Sequence, residues 1–305
     1  MKALITGIGG FVGAYLRKEL ENAGYEVAGL DRHIAEERGG TELLQCDITD
    51  PEQALQAVQE IWPDAVFHLA GFSSVAGSFK EPEMCRKINV DGTKNLLAAF
   101  RTAGIGPKVL IVSSAEVYGK PDYLPVDEQH PLKPVSPYGE SRLEQERAAL
   151  PGLFADRGLP GESGSDIPVI ISRSFNHTGA GQPETFVIPS FKKQIRDAED
   201  GGVIKTGNLG VVRDFSDVTD VVRAYRVLLE RGNPGEVYNV GSGIPYRLRE
   251  ILKYLIAESG KELRIETDSK RYRPADIPKI YADNRKLLAL GGVSFKKLFY
   301  ENERD

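Results

Sequence analysis

Short apolar runs and amphipathic stretches alternate along the first 175 residues. The runs KALIT (2–6), EVAGL (26–30), ELLQC (42–46), AVFHLA (65–70), KVLIVSS (108–114) and PVIISRSF (168–175) have strand length and are rich in leucine or β-branched residues. Between them, residues 10–23, 51–60 and 83–104 carry apolar positions at helical spacing. Strands alternating with helices require parallel crossovers, so the pattern predicts an α/β fold built on a Rossmann-type, doubly wound parallel sheet. The near-continuous apolar character of the strands suits a sheet covered by helices on both faces.

Beyond Phe175 the pattern loosens into short strands and Gly- and Pro-containing loops, with helices predicted near 217–231 and 246–259. The chain thus divides into a large domain over 1–175 and a smaller lobe over 176–305, with some chain crossing back to the first domain. Residues 151–167, PGLFADRGLPGESGSDI, hold so many breakers and polar residues that they are expected to join neither the preceding helix nor the following strand.

Charge and cysteine content narrow the function. Lys and Arg number 39 against 44 Asp and Glu, a net charge of −5 with no basic run, which argues against a nucleic-acid partner. No apolar run approaches the ~18 residues that a membrane span needs. The opening MKALITGIGGFVG turns at once into strand and glycine turn, unlike a signal peptide, so a soluble cytoplasmic protein is expected. Cys46 and Cys85 read as buried apolar residues, and no Cys/His cluster has metal-binding spacing.

The first strand runs into Gly7, Gly10 and Gly13 and then a helix. In that order the glycines give a tight turn, close approach to a pyrophosphate, and helix–strand packing, while the helix N-terminus offers N–H groups to phosphate. This predicts a dinucleotide site. Asp31 ends the second strand, where a carboxylate accepts hydrogen bonds from adenosine ribose hydroxyls and repels a 2′-phosphate, which favours NAD. Arg32 beside it is suited to a 2′-phosphate, so NADP stays open. Asp47 and the Ile48 backbone follow the third strand, where adenine would be read, whereas Asp50 before Pro51 reads as a helix N-cap.

In SPYGESRLEQE, Tyr138 and Arg142 stand four residues apart, on one face of a predicted helix. TGIGGFVG, DITD, HLAG, INVDGT, SSAEVYG and SPYGESR occur in an order that resembles the extended short-chain dehydrogenases/reductases. These are NAD(P)-dependent nucleotide-sugar epimerases, dehydratases and reductases. SRSFNHTGAGQ, GNLGVVRDFSDVTDVVRAY and RPADIP are similar to GDP-6-deoxy-4-keto-mannose reductases, which form GDP-rhamnose; GDP-mannose 4,6-dehydratases share the FNHTG element.

The resemblance implies a role for each residue. Tyr138 would donate a proton to the sugar oxygen, Ser114 would orient that oxygen, and Glu116 would contact the sugar or, in a dehydratase, serve elimination. A phenol titrates near ~10, so a neighbouring cation is needed for work near neutrality. The family keeps Lys for this; here Arg142 stands in its place, with its charge retained but its shape changed. Phe11, Val12, Leu69 and Ala70 would join the glycines around the dinucleotide. Arg213 and Arg273 would neutralise the substrate diphosphate and Asn176 would lie near it. His177 would be structural or touch cofactor, and Asp217 and Asp220 would start a helix. The family also dimerises through four helices, here those near 83–104 and 137–150. A reductase of a GDP-sugar is thus expected, with a 4,6-dehydratase, a 4-epimerase or a non-catalytic binding protein as alternatives.

Overall fold

The computed structural model describes residues 1–34, 41–155, 167–268, 271–272 and 276–299. Strands β1 (Lys2–Thr6), β2 (Glu26–Asp31), β3 (Glu42–Gln45), β4 (Ala65–His68), β5 (Lys108–Ser114) and β6 (Val169–Ser174) fall on the six predicted apolar runs. With a later strand, β10 (Val237–Val240), they form a seven-stranded parallel sheet in the order β10-β6-β5-β4-β1-β2-β3. The order reverses between β1 and β4, and such a switch point opens a crevice at the carboxyl ends of the strands.

Helices cover both faces, which explains why the strands are apolar throughout. On one face, α1 (Phe11–Asn22) and α9 (Val218–Arg231) bury Leu16, Leu20, Val221 and Leu228 against Ile5 and Phe67. On the other, α2 (Pro51–Ile61) and α5 (Gly92–Ala103) bury Val58, Leu97 and Phe100 against Val66 and Ile111. Asp50 caps α2 through the N–H groups of Glu52 and Gln53, and Asp217 caps α9 through Thr219. Segment 218–240 therefore crosses back to the large sheet, with β10 zipped along β6.

The remaining elements make the second lobe. Strands β7 (Asn176–Thr178), β9 (Val212–Asp217), β11 (Pro245–Arg247) and β13 (Lys279–Ile280) form a small mixed sheet, and β8 (Val203–Thr206) pairs with β12 (Arg264–Thr267). Helices α8 (Val187–Asp197) and α10 (Leu248–Ser259) pack Phe191, Ile195, Ile251 and Leu252 around Phe215 and Tyr246. Buried Asp214 ties this lobe together by accepting from the N–H groups of Ser242, Gly243 and Ala282.

Two expected segments carry detail that the sequence pattern does not show. The helix predicted over 83–104 is α4 (Pro82–Arg86) and α5 joined through a π-helical turn, Lys87–Asp91, which turns Asn89 into the interior. A π turn shifts side-chain phase by one residue, a change that apolar periodicity does not reveal. Residues 151–155 join neither α6 nor β6, as expected; Pro151–Ala155 form a separate short helix, α7, because proline suits a first helical turn. Residues 156–166 lie outside the described residues.

Candidate active site

A cavity of about 610 Å³ opens at the switch point, between the carboxyl ends of the large sheet and the second lobe. Its size suits a bound organic ligand, and its two ends are chemically distinct.

At one end, Gly7 leaves β1 with φ +74°, and an added Cβ there would lie 2.8 Å from the Ala70 nitrogen. A Cβ at Gly13 would lie 2.6 Å from the carbonyl oxygens of Gly7 and Ile8. Side chains at either position would block the loop from closing on the strands. Gly10 is the N-cap of α1, no side chain caps that helix, and its first turn holds no acidic residue. The N–H groups and dipole of α1 therefore remain for an anion. Phe11, Val12, Leu69 and Ala70 line this part of the cavity with Gly7, Gly10 and Gly13.

Asp31 lies at the end of β2, its carboxylate accepting from the backbone N–H of Gly9 at 2.9 Å and of His33 at 3.1 Å. It braces the glycine turn and still lines the cavity beside Arg32. Asp47 accepts from the Thr49 N–H and hydroxyl, and Ile48 stands next to it on the cavity wall. A glycine cradle with an uncapped helix end and a carboxylate at the following strand end fits a dinucleotide.

The other end gathers Ser114, Glu116, Tyr138 and Arg142. Helix α6 (Pro137–Ala149) is capped by Ser136, whose hydroxyl accepts from Gly139. A Cβ at Gly139 would sit 2.7 Å from the Glu116 carbonyl oxygen, so glycine there lets α6 close against the 3-10 turn after β5. That approach brings Tyr138 to the strand end bearing Ser114. The Ser114 hydroxyl accepts from the Glu116 N–H.

Arg142 is only 5% exposed. Its guanidinium carbon lies 5.3 Å from the centre of the Tyr138 ring. Nη1 donates to the Val112 carbonyl at 3.0 Å and to Gln145 Oε1 at 2.9 Å, and Nη2 donates to the Phe72 carbonyl at 3.3 Å. Its Nε finds no protein acceptor, and no carboxylate among the described residues pairs with it. The guanidinium is thus a buried cation held by neutral acceptors, set over the Tyr138 ring.

Asn176 and His177 reach the cavity from β7. The His177 ring stacks on Phe11, and its Nδ1–H donates to the Phe175 carbonyl. Burial holds this imidazole below its usual value. Arg213 does not line the cavity: it is buried and paired with Asp276 at 3.1 Å. Arg273 lies outside the described residues.

Sequence reasoning assigned no role to His68, Asn89, Gln145, Ser174 or Tyr225. Tyr225 and Ser174 face the cavity with their hydroxyls 2.7 Å apart, and burial raises the Tyr225 phenol. Asn89 accepts from the Phe72 N–H and donates to Ser141. The motifs HLAG and INVDGT contain two of these residues, but nothing in their spacing says that Asn89 bonds Ser141 of α6 or that His68 bonds Thr6 and Thr93. Among the described residues no group of His, Cys, Asp and Glu could hold a metal ion, and no helix is long and apolar enough to cross a membrane.

A family model described as GDP-mannose 4,6 dehydratase matches residues 4–291. GDP-6-deoxy-D-mannose reductase of Pseudomonas aeruginosa is 33% identical over 294 residues, covering 94% of this chain and 89% of that one. Among solved structures, RMD from Pseudomonas aeruginosa complexed with NADPH superposes with a TM-score of 0.79 at 31% identity, over 97% of this chain and 94% of that chain. The UDP-glucose 4-epimerase of Thermus thermophilus in complex with NAD gives a TM-score of 0.81 at 28% identity, over 96% and 93%.

Proposed function

From the premise that this chain belongs to the GDP-mannose 4,6-dehydratase family, we propose that it reduces the 4-keto group of a GDP-4-keto-6-deoxy hexose, forming GDP-rhamnose or its epimer. A bound nicotinamide dinucleotide supplies the hydride. Every other task falls to the chain. Tyr138 gives its phenolic proton to the oxygen as the carbonyl carbon accepts hydride, so the carbonyl becomes an alcohol and the phenol a phenolate. Ser114 donates a hydrogen bond to the same oxygen and fixes it near Tyr138. Arg142 stabilises the phenolate by its charge, and a proton from solvent restores the phenol for the next turnover.

The observation that carries this reading is the buried, carboxylate-free guanidinium of Arg142 beside Tyr138, in the same cavity as the glycine cradle. Asp31 favours NADH, and Arg32 leaves NADPH as a second donor; the ratio of kcat/KM for the two measures the preference. Asn176 is assigned to the substrate diphosphate, and so is Arg273, whereas the Asp276 pairing favours a structural role for Arg213. Two copies are proposed to pair through the helices of 82–103 and α6, which sedimentation tests.

Glu116 in the cavity supports the alternative of a 4,6-dehydratase, which needs an acid/base carboxylate. A dehydratase or epimerase recycles its dinucleotide, whereas a reductase releases it each turnover. NAD(P)H oxidation with GDP-4-keto-6-deoxy-mannose, together with the absorbance of nucleotide freed by denaturation, separates them. No oxidation and stoichiometric retention would overturn the reductase assignment.

A further inference from the structure

We propose that Gln145 and Gly71 form a seat that makes arginine workable at position 142, with both acting as positioning residues. The inference rests on the reading of Tyr138 and Arg142 as a proton-donating pair. Gly71 makes room: a Cβ there would lie 2.7 Å from Arg142 Nη2 and 2.9 Å from Asn89 Oδ1. Gln145, one turn further along α6, supplies the side-chain acceptor for Nη1. An amide accepts without carrying charge, so it aims the guanidinium and leaves its field intact; a carboxylate at the same place would quench it.

The seat is anchored by a hydrogen-bond chain with only one consistent direction. Arginine can only donate, so Gln145 presents Oε1 to it and Nε2 to Thr93 Oγ1, at 2.7 Å. The Thr93 hydroxyl spends its single hydrogen on the Asn89 carbonyl. His68 must then donate from Nε2 to Thr93, at 2.9 Å, which leaves Nδ1 to accept from the Thr6 hydroxyl at 2.7 Å. Thr6 Oγ1 in turn accepts from the Ala70 N–H, in the strand end that faces Gly7. Burial first, and the charge of Arg142 second, push His68 down to about 3, so it stays neutral as the chain requires. The cation beside Tyr138 and the strand ends at the glycine cradle are thus held by one buried network.

The test is a set of double-mutant cycles. Gln145→Leu, Gln145→Glu and Gly71→Ala are made with Arg142 and again with Arg142→Lys. Each protein is measured for kcat and KM across pH, for NAD(P)H binding by fluorescence, and for thermal unfolding. With Arg142 present, Gln145→Leu and Gly71→Ala each lower kcat by about tenfold, the worth of one displaced charged hydrogen bond, with dinucleotide affinity changed less than about threefold. In the Arg142→Lys background, where no guanidinium needs seating, the same changes cost less than about threefold. Gln145→Glu, near-isosteric and so expected to fold, lowers kcat and moves the alkaline limb of the pH profile, where the donating phenol loses its proton, up by about one unit. Equal losses in both backgrounds, or a Gln145→Glu profile that does not move, would overturn the seat. Wild-type turnover by Tyr138→Phe or Arg142→Ala would overturn the underlying reading instead, and the two failures cannot be confused.

Discussion

Replacing Glu146 by glutamine tests how helix α6 is held. Glu146 and Arg173 are both fully enclosed, with side-chain exposures of 0% and 2%. Arg173 Nη2 lies 2.7 Å from Oε2, its Nε lies 3.1 and 3.2 Å from the two carboxylate oxygens, and Ser113 donates to Oε1 at 2.6 Å. Burial alone would weaken the charge on Arg173, yet the carboxylate overrides it and holds the guanidinium above its usual value. The pair joins α6, one turn beyond Arg142, to β6 and to the residue before Ser114. Glutamine keeps the shape but removes the charge, and it turns a donating NH₂ toward an oxygen position that two donors now share.

Breaking one side of a buried ion pair leaves an uncompensated charge and typically costs about 3–5 kcal/mol. Against a total stability of about 5–15 kcal/mol, that is a large fraction. Urea unfolding at 25 °C followed by far-UV circular dichroism measures it; the sole tryptophan, Trp62, is already 57% exposed and reports little. A Glu146→Leu, Arg173→Met double variant, which buries no charge, is expected to lose less than Glu146→Gln alone. A loss below about 1 kcal/mol for Glu146→Gln, or a double variant less stable than the single, would refute the reasoning.

Gly7→Ala should remove dinucleotide binding, measured by NAD(P)H fluorescence, because positive φ and a 2.8 Å approach to the Ala70 nitrogen leave no place for Cβ; unchanged affinity would count against the cradle. Tyr138→Phe should lower kcat by about 10²–10⁴ while dinucleotide affinity stays near wild type; a variant with near-normal turnover would remove Tyr138 from the chemistry. His68 titrates near 3 in the folded chain against 6.5 in the unfolded one. Below pH 6.5 the unfolded chain takes up a proton that the native state refuses, so stability is greatest above that pH and falls as pH drops. By pH 5 the loss is about 2 kcal/mol, and a His68→Asn variant, less stable at pH 7, should lack that part of the slope. Parallel slopes for the two proteins would sink the neutral-histidine chain.

What could be read from the sequence was what depends on neighbours in the chain. The apolar runs gave the six strands, because a sheet covered on both faces excludes polar residues along the strand itself. The glycine spacing and the i, i+4 relation of Tyr138 and Arg142 are likewise local. The seat of Arg142 is not: its acceptors come from Phe72, Val112 and Gln145, and its room comes from Gly71, on the loop after β4, on β5 and on α6. Gln145 lies only three residues from Arg142, yet a glutamine on a helix reads as a solvated position until the sheet is seen behind it. Arg213 shows the converse, since a motif that suggests phosphate binding gives no sign that Asp276, 63 residues away, pairs with the charge. Arg142 first stands out as a departure from the lysine that the family keeps, which suggests weakened chemistry. The residues around it give the departure another meaning: acceptors without charge and a glycine without Cβ are what a working guanidinium needs there. Arg142→Lys in the otherwise native chain should therefore lower activity, by about tenfold, because one ammonium cannot reach all three acceptors at once. A gain in turnover on introducing lysine would mean that the site is a damaged lysine site and not one rebuilt around arginine.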